Sequence, residues 1–431
     1  MRNTSIPETV YWKWGQEETW PHVNEPLPAK TGVLIVGAGY TGLSAALYLT
    51  RSGGQVTVVD QETGPGRGAS GRNGGMVLSG YPLDCSSLIT RFGLDRAKAL
   101  FAASLEAVSE VESIISQEKI ACAFQRTEHI AAAVHPSHRD WLYREQDYMA
   151  RISGQVPRVL NAEEMRERLG TNHYWGGLAD PWAAALNPFA YATGLYEAAL
   201  TAGAGFSWQT RVHGIDREPG GVRVQTSRGQ IRAKQVLVAA NGLVQGLGAW
   251  LSKRVVPVES VIMATEEVPP EVMNSVLPRE NTVSDTKRVL NYFRRSPDGK
   301  RLLFGGRPPM VWGSLGQKAL ALHKNMAAIY PQLKAYRPAC VWSGRVGFTR
   351  DHMPHAGEKD GQMYALGYCG HGIALATYLG RQMAKAVMGQ ENPLALPFPD
   401  PSFPGFPLYR KRAWFIPPAL AWFSLLDRWG K

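Results

Sequence analysis

The sequence predicts a mixed α/β fold, in which a parallel sheet is assembled from distant stretches of chain and the chain between them builds a second domain. Three observations predict it. Residues 33–60, VLIVGAGYTGLSAALYLTRSGGQVTVVD, read in order as strand, glycine turn, helix, strand and terminal acid. Residues 236–240, VLVAA, are apolar on both faces, as a buried parallel strand requires, and run into Asn241-Gly242 far downstream. The chain between alternates helical periodicity with short strands, which suits inserted segments.

Each element follows from its residues. The first thirty residues hold no apolar run of signal-peptide length and read as an irregular, aromatic-rich arm packed on the body. After the strand at 33–36, Gly37 allows a tight turn. Gly39 removes the Cβ that would block a pyrophosphate, and Gly42 lets the next helix approach the strand. The helix continues over 43–51, with its positive end toward the phosphates. Residues 55–59 form the second strand. Asp60, 18 residues after Gly42, stands where a ribose hydroxyl would be accepted. Helical periodicity covers 97–119 and 138–151. Asn187-Pro188 has cap-then-first-turn chemistry and opens a helix that a glycine ends. FSWQTRVHGIDRE, GVRVQTSRGQIRA and KQVLVAANG read as short strands with a turn at Ser227-Arg228-Gly229. Residues 255–310 are strand-rich, with a turn at 296–299. Helices return at 317–330 and 373–389, and 393–431 is a Pro- and aromatic-rich tail.

Bulk properties narrow the function. A chain of 431 residues, 44% of them hydrophobic, suits two or three globular domains. The net charge of +11 is spread along the chain, with no basic run interleaved with aromatics, so a nucleic-acid groove is not expected. Cys85, Cys122, Cys340 and Cys369 form no CxxC and no metal-ligand spacing, which points to a reduced, cytoplasmic protein without a metal site. No apolar run approaches the ~20 residues of a bilayer span.

Two further glycine clusters favour a flavin over a nicotinamide. GRGASGRNGG, residues 66–75, permits close backbone approach to a planar ring or phosphate and lodges Arg72 and Asn73 among its glycines. GYCGHGIA, residues 367–374, opens a helix whose free N–H groups suit a developing negative charge. A reduced flavin carries such a charge at its N1/C2=O edge; a reduced nicotinamide does not. No second GxGxxG of comparable quality is present to hold a separate nicotinamide.

VGAGYTGLSAALYL, GRGASGRNGG, WSGRVGFTRDHMPHAG and GYCGHGIALATYLG together resemble the D-amino-acid-oxidase-like superfamily of FAD-dependent amine oxidoreductases, nearest its gamma-glutamylputrescine oxidoreductase branch. The resemblance spans about residues 30–390 and implies a p-hydroxybenzoate-hydroxylase-like architecture: a Rossmann-type FAD-binding domain interrupted by an antiparallel-sheet substrate domain. It divides the chain into an arm (1–30), FAD-binding parts at 31–81, 187–250 and 339–392, substrate parts at 82–186 and 251–338, and the tail (393–431). The implied reaction oxidises the C–N bond of an amine or amino acid by hydride transfer to flavin N5. The imine then hydrolyses, and oxygen or a respiratory carrier takes the electrons. Expected cofactor contacts are Gly37, Gly39, Tyr40, Thr41, Gly42, Asp60 and Gln61; Arg67, Gly68, Ala69, Ser70, Arg72, Asn73, Gly74, Gly75 and Met76; Val212, Ala240, Asn241 and Gly242; and Gly344, Gly370, Gly372 and Ile373. His371 and Arg345 are the expected catalytic residues, and Tyr292, Arg294 and Arg307 the expected substrate contacts. In sarcosine oxidases a cysteine near the position of Cys340 joins the flavin covalently; here a small buried hydrophobe is the preferred reading, with the linkage as the alternative.

Two other functions fit the same motifs. An FAD-containing hydroxylase would need external NAD(P)H, and a non-catalytic FAD-bearing subunit of a dehydrogenase complex would not need intact flavin-facing motifs. The tail LYRKRAWFIPPALAWFSLLDRWGK sets Arg410, Lys411, Arg412, Arg428 and Lys431 against one acid, Asp427. Pro417-Pro418 divides it, leaving 419–429 as its helix. The preferred expectation is that its rings pack on the body; weak membrane-surface contact and a dimer contact are the alternatives.

Overall fold

Residues 33–36 are buried to the last side chain because strands lie on both sides of them, helices cover the face of Val33 and Ile35, and Val212, Val224 and Phe403 pack with Leu34 and Val36 on the other. Each such Val, Leu or Ile stabilises the fold by roughly 1.5–3 kcal/mol. The computed structural model describes residues 6–14, 24–308, 312–390, 403–407, 409 and 413–430. Lys30–Val36 pairs in parallel with Val56–Val59 on one side and Gly229–Val238 on the other, so that Val36 lies between Val59 and Val238. Gly205–Ser207 and Gln362–Leu366 extend the parallel arrangement outward. The antiparallel strands Val212–Glu218, Gly221–Thr226 and His355–Lys359 complete an eight-stranded sheet. Its central strands end together at 36, 59 and 238, and the crevice outside such carboxyl ends is where α/β sheets bind ligands.

The helices that cover this sheet bring the glycine motifs together. Tyr40–Arg51 packs against Gly372–Val387, with Ser44 Oγ donating to Thr377 O at 2.8 Å. Pro188–Thr201 lies alongside, its N-terminus held by Asn187, whose Oδ1 accepts from the amides of Phe189 and Ala190 at 3.1 Å each.

A second eight-stranded sheet runs in the order Pro338–Thr349, Val255–Thr265, Leu302–Gly306, Asn291–Arg295, Thr282–Asp285, His129–Ala132, Gly177–Asp180, Arg158–Leu160. All its neighbours are antiparallel except Thr282–Asp285 with His129–Ala132. Phe293 and Phe304 stack at 5.5 Å on the face turned toward the helix Leu315–Ile329. The expected mixed α/β fold, with a parallel nucleotide sheet and an antiparallel second layer, is the one observed.

Three local expectations change. The strands read separately at 221–233 and 234–242 include one continuous strand, Gly229–Val238, whose outer half pairs with a hairpin and whose inner half joins the parallel core. In the tail, the helix begins at Ile416 and takes both prolines into its first turn, where a missing N–H costs nothing. Its rings do not pack on the body: no residue of Ile416–Arg428 is buried, and Trp414, Trp422 and Trp429 are 60%, 55% and 56% exposed. The preceding segment does pack, through buried Phe403 and Tyr409. Arg410, Lys411, Arg412 and Lys431 lie outside the described residues, as do 15–23 of the arm. The described part of the arm packs as expected through Trp12, which is buried. Among the described residues no helix is long and apolar enough to cross a membrane, and no cluster of His, Cys, Asp or Glu is arranged to hold a metal.

Candidate active site

One cavity of about 770 Å³ runs from the ends of the parallel strands to the underside of the second sheet. At its first end Gly37 has φ +112°, a backbone that L side chains rarely adopt, and an added Cβ there would stand 2.8 Å from Ala239 O. Gly39 caps the helix Tyr40–Arg51, and a Cβ on it would stand 2.9 Å from Ser70 Oγ. Gly42 is not part of the wall; a side chain there would collide with the Gly37 carbonyl, so its smallness serves helix–strand packing. Asp60 lines the cavity and also holds the turn: Oδ2 accepts from Ala38 N at 2.6 Å and Oδ1 from Glu62 N at 2.9 Å. Burial raises its pKa above the usual carboxylate range, and these amide bonds oppose the shift. Tyr40, Thr41, Gln61 and Val212 line the same end.

Side-chain hydrogen bonds hold the loop at 66–75. Arg72 Nε donates to Arg67 O at 2.8 Å and Nη1 to Ser343 O at 3.3 Å. Asn73 Nδ2 donates to Ser70 O at 2.8 Å and Ala69 O at 3.1 Å, while its Oδ1 accepts from Gly75 N at 2.8 Å. Indole N–H groups of Trp342 and Trp12 close on Arg72 O and Asn73 O, each at 2.8 Å. The aromatic arm thus serves the loop directly. Arg67, Gly68, Ala69, Ser70, Arg72, Asn73, Gly74 and Met76 face the cavity. Gly75 does not; its positive φ makes the turn, and a Cβ there would collide with Leu186 O.

Opposite this loop stand Gly370, His371, Gly372 and Ile373, at the start of Gly372–Val387, an N-terminus that no side chain caps. His371 Nδ1 is buried without a hydrogen-bond partner, and burial pulls the ring down to about 4. Ala240, Asn241, Gly242, Gly344 and Arg345 complete this wall, with Asn241 Oδ1 accepting from Gly367 N at 3.0 Å. Arg345 is exposed at its rim.

The second sheet forms the roof. Tyr292 lies over Gly74, its hydroxyl paired with Ser260 Oγ at 2.9 Å. Arg307 lines the cavity with its guanidinium over the Phe348 ring at 4.7 Å, and burial lowers its pKa. Arg294, expected beside them, is not in the wall. Its Nη1 donates to Gly75 O at 2.9 Å and Leu186 O at 3.1 Å, which makes it a strut between roof and glycine loop. Cys340 is buried outside the wall near Tyr11, because the strand Pro338–Thr349 reaches the cavity only from Ser343; burial pushes its thiol up to about 11.

The cavity contains residues that sequence reasoning missed. His129 lines it, with Nδ1 against Thr282 Oγ1 and Nε2 against Ser284 Oγ, both at 2.9 Å. Burial and then the neighbouring His371 lower its pKa to about 3. Glu145, Asp180 and Asp285 lie at the same end. No spacing relates these four residues; strand pairing alone collects three of them, and Glu145 arrives on the helix Arg139–Ser153.

The chain is similar to known proteins along most of its length. The model of the family DAO, FAD dependent oxidoreductase, matches residues 32–386. A probable oxidoreductase OrdL of Rhizobium meliloti is 32% identical over 415 residues, 94% of each chain. The gamma-glutamylputrescine oxidoreductase of Escherichia coli is 30% identical over 404 residues, 92% of this chain and 93% of its own. Among solved structures, glycine oxidase from Geobacillus kaustophilus superposes with a TM-score of 0.71 at 23% identity, over 85% of this chain and 98% of that one, a likeness of fold.

Proposed function

The chain belongs to the DAO family of FAD dependent oxidoreductases, and from that premise we propose that it oxidises the C–N bond of an amine or amino acid. FAD, when bound, supplies the two-electron acceptor for the hydride that leaves the carbon bearing nitrogen. The observation that carries the reading is the unbroken cavity from the glycine turn, past His371, to the space beneath Tyr292 and Arg307.

The residues present fit the cofactor. Gly39 leaves no room for a Cβ beside Ser70, and the turn it belongs to is pinned by Asp60. Gly37, Gly39, Asp60 and Gln61 would hold phosphates and ribose, Val212 the adenine side, and Arg72, Asn73, Gly344 and Gly370 the ring. The uncapped start of Gly372–Val387 offers its N–H groups to negative charge at the ring edge. His371 and His129 stay uncharged at neutral pH, so neither repels the substrate, whose amine is neutral when the hydride leaves and becomes the charged iminium. Arg307 is suited to hold a substrate carboxylate with two parallel bonds. The roof excludes water during oxidation, and the imine product hydrolyses after release. Oxygen or a respiratory carrier takes the electrons. The four free thiols suit a cytoplasmic setting.

Anaerobic mixing of the flavin-loaded protein with a panel of amines and amino acids tests this reading. The likeness to gamma-glutamylputrescine oxidoreductase puts gamma-glutamylputrescine first in the panel. Bleaching of the flavin by one amine without NAD(P)H is the expected result. Bleaching by NADPH alone would favour a hydroxylase, and bleaching by no substrate would favour a non-catalytic subunit.

A further inference from the structure

The tail helix turns an apolar side outward. Along Ile416–Arg428 and its ends, Pro418, Ala421, Trp422 and Trp429 are exposed and Leu425 is half-buried. Their spacing at i, i+3, i+4, i+7 and i+11 puts them on one face. Exposed Trp414 precedes the helix. The one acid, Asp427, points the other way: its Oδ1 and Oδ2 accept from the amides of Arg288 and Val289 at 2.8 and 3.0 Å. Gly430 O accepts from Ser137 Oγ at 2.8 Å. The opposite edge, with Ile416, Leu420, Ser424 and Asp427, is half-buried, so the helix is apolar on both sides and leaves its tryptophans in solvent.

We propose that this face docks on an anionic lipid bilayer surface. The charge is complementary: Arg428 is exposed beside the stripe, and in the sequence Arg410, Lys411 and Arg412 precede the helix and Lys431 follows it, on a chain of net charge +11. Tryptophan beside cations is the composition of a segment that lies at the headgroup boundary. Thirteen residues make a helix of about 20 Å, too short for a ~30 Å hydrocarbon core, so the helix lies in the interface and does not span it. A second copy fits less well, because a two-fold contact sets each cationic flank against its own likeness. Docking has a consequence for the site. The loop that binds Asp427 contributes Thr286 and Leu290 to the cavity wall, so the helix holds that wall close to the lipid headgroups.

Vesicle flotation of the flavin-loaded, full-length protein tests the proposal. Vesicles of phosphatidylcholine with phosphatidylglycerol should carry the protein at physiological salt; vesicles of phosphatidylcholine alone should carry much less. The double substitution Trp422→Ser, Trp429→Ser should lower vesicle affinity by about tenfold or more, with flavin content, melting temperature and flavin reduction unchanged. Absence of flotation with the anionic vesicles would overturn the proposal, as would equal flotation of the double variant. A dimer in sedimentation velocity that the double variant converts to monomer, without vesicle binding by either, would assign the stripe to a second copy instead.

Discussion

His371 shows how burial alone sets the charge of a residue at the candidate redox centre. Its ring is held uncharged, with a pKa pulled by burial to about 4 against an unfolded value of about 6.5. Between those values the unfolded chain binds a proton that the folded chain refuses. The stability present above pH ~6.5 is therefore lost as pH falls toward ~4. His129, lowered to about 3 by burial and then by His371, acts in the same direction. Melting temperatures of the flavin-free protein should fall across this window, and His371→Asn should make the fall shallower; an unaltered slope would show that the ring is not buried. In the flavin-loaded enzyme, His371→Ala and Arg345→Ala should each slow anaerobic flavin reduction by about tenfold or more, the rate equivalent of about 1.4 kcal/mol, with FAD retained. Wild-type reduction in both would remove them from the site. Gly39 carries a steric consequence. The Cβ of Gly39→Val meets Ser70 Oγ, and its methyl groups extend into the turn, so the variant should purify with little or no flavin. Normal absorbance would displace the phosphate site from this turn.

At the scale of elements, Arg294 links the roof strand Asn291–Arg295 to the glycine loop, and its removal separates two readings. As a strut, Arg294→Met leaves the buried Leu186 carbonyl without this donor, lowers stability by about 1–3 kcal/mol and weakens FAD retention. A substrate contact would instead raise KM with the melting temperature unchanged. Asn187→Ala should cost about 1 kcal/mol through the lost cap of Pro188–Thr201. That cap was legible in the sequence because its chemistry is local, as was the strand–turn–helix–strand of residues 33–60. The helices Cys85–Phe92 and Ala162–Leu169 escaped notice because eight residues carry too little periodicity. Gly229–Val238 was read as two strands because one of its edges changes neighbour between Ala233 and Val236, from Gly221–Thr226 to Gln362–Leu366, while the other edge runs along Lys30–Val36, and no sequence signal marks a change of neighbour. The glycine-lined end of the cavity was readable for the same local reasons. Its roof end was not: His129 reaches Ser284 through pairing of strands some 150 residues apart, and Tyr292 and Arg294, two residues apart on one face of a strand, differ only in that the first lies over Gly74 and the second is spent on Gly75 O and Leu186 O.

For the whole molecule, the tail joins two segments with opposite relations to the body, and truncation should separate them. Phe403 is buried, stacks on His355 at 3.8 Å and packs edge-on to Trp250. Arg254 Nε donates to Phe403 O at 2.7 Å, Lys253 O accepts from Phe406 N at 2.9 Å, and Gln245 Nε2 reaches the Tyr409 hydroxyl at 3.2 Å. These contacts close the outer face of the nucleotide sheet, where Phe403 shares a core with Val36 and Val238. Two buried rings at roughly 1.5–3 kcal/mol each, with their hydrogen bonds, make this segment part of the fold. Ile416–Arg428 buries no residue, and its described anchors include the ring of Phe415 stacked on Phe406 at 5.5 Å, a carboxylate on two loop amides and one carbonyl on a serine. Net bonds of this kind are worth about 0.5–1.5 kcal/mol each at best, and less where water competes. A chain ending at residue 412 should therefore melt within about 2 °C of the full protein, hold its FAD and be more soluble, because the exposed tryptophans are gone. A chain ending at residue 402 should melt several degrees lower, since it opens the nucleotide sheet to water. Equal losses in both truncations would mean that the helix is bound to the body after all, and its outward apolar face would then need a covering that lies within this chain.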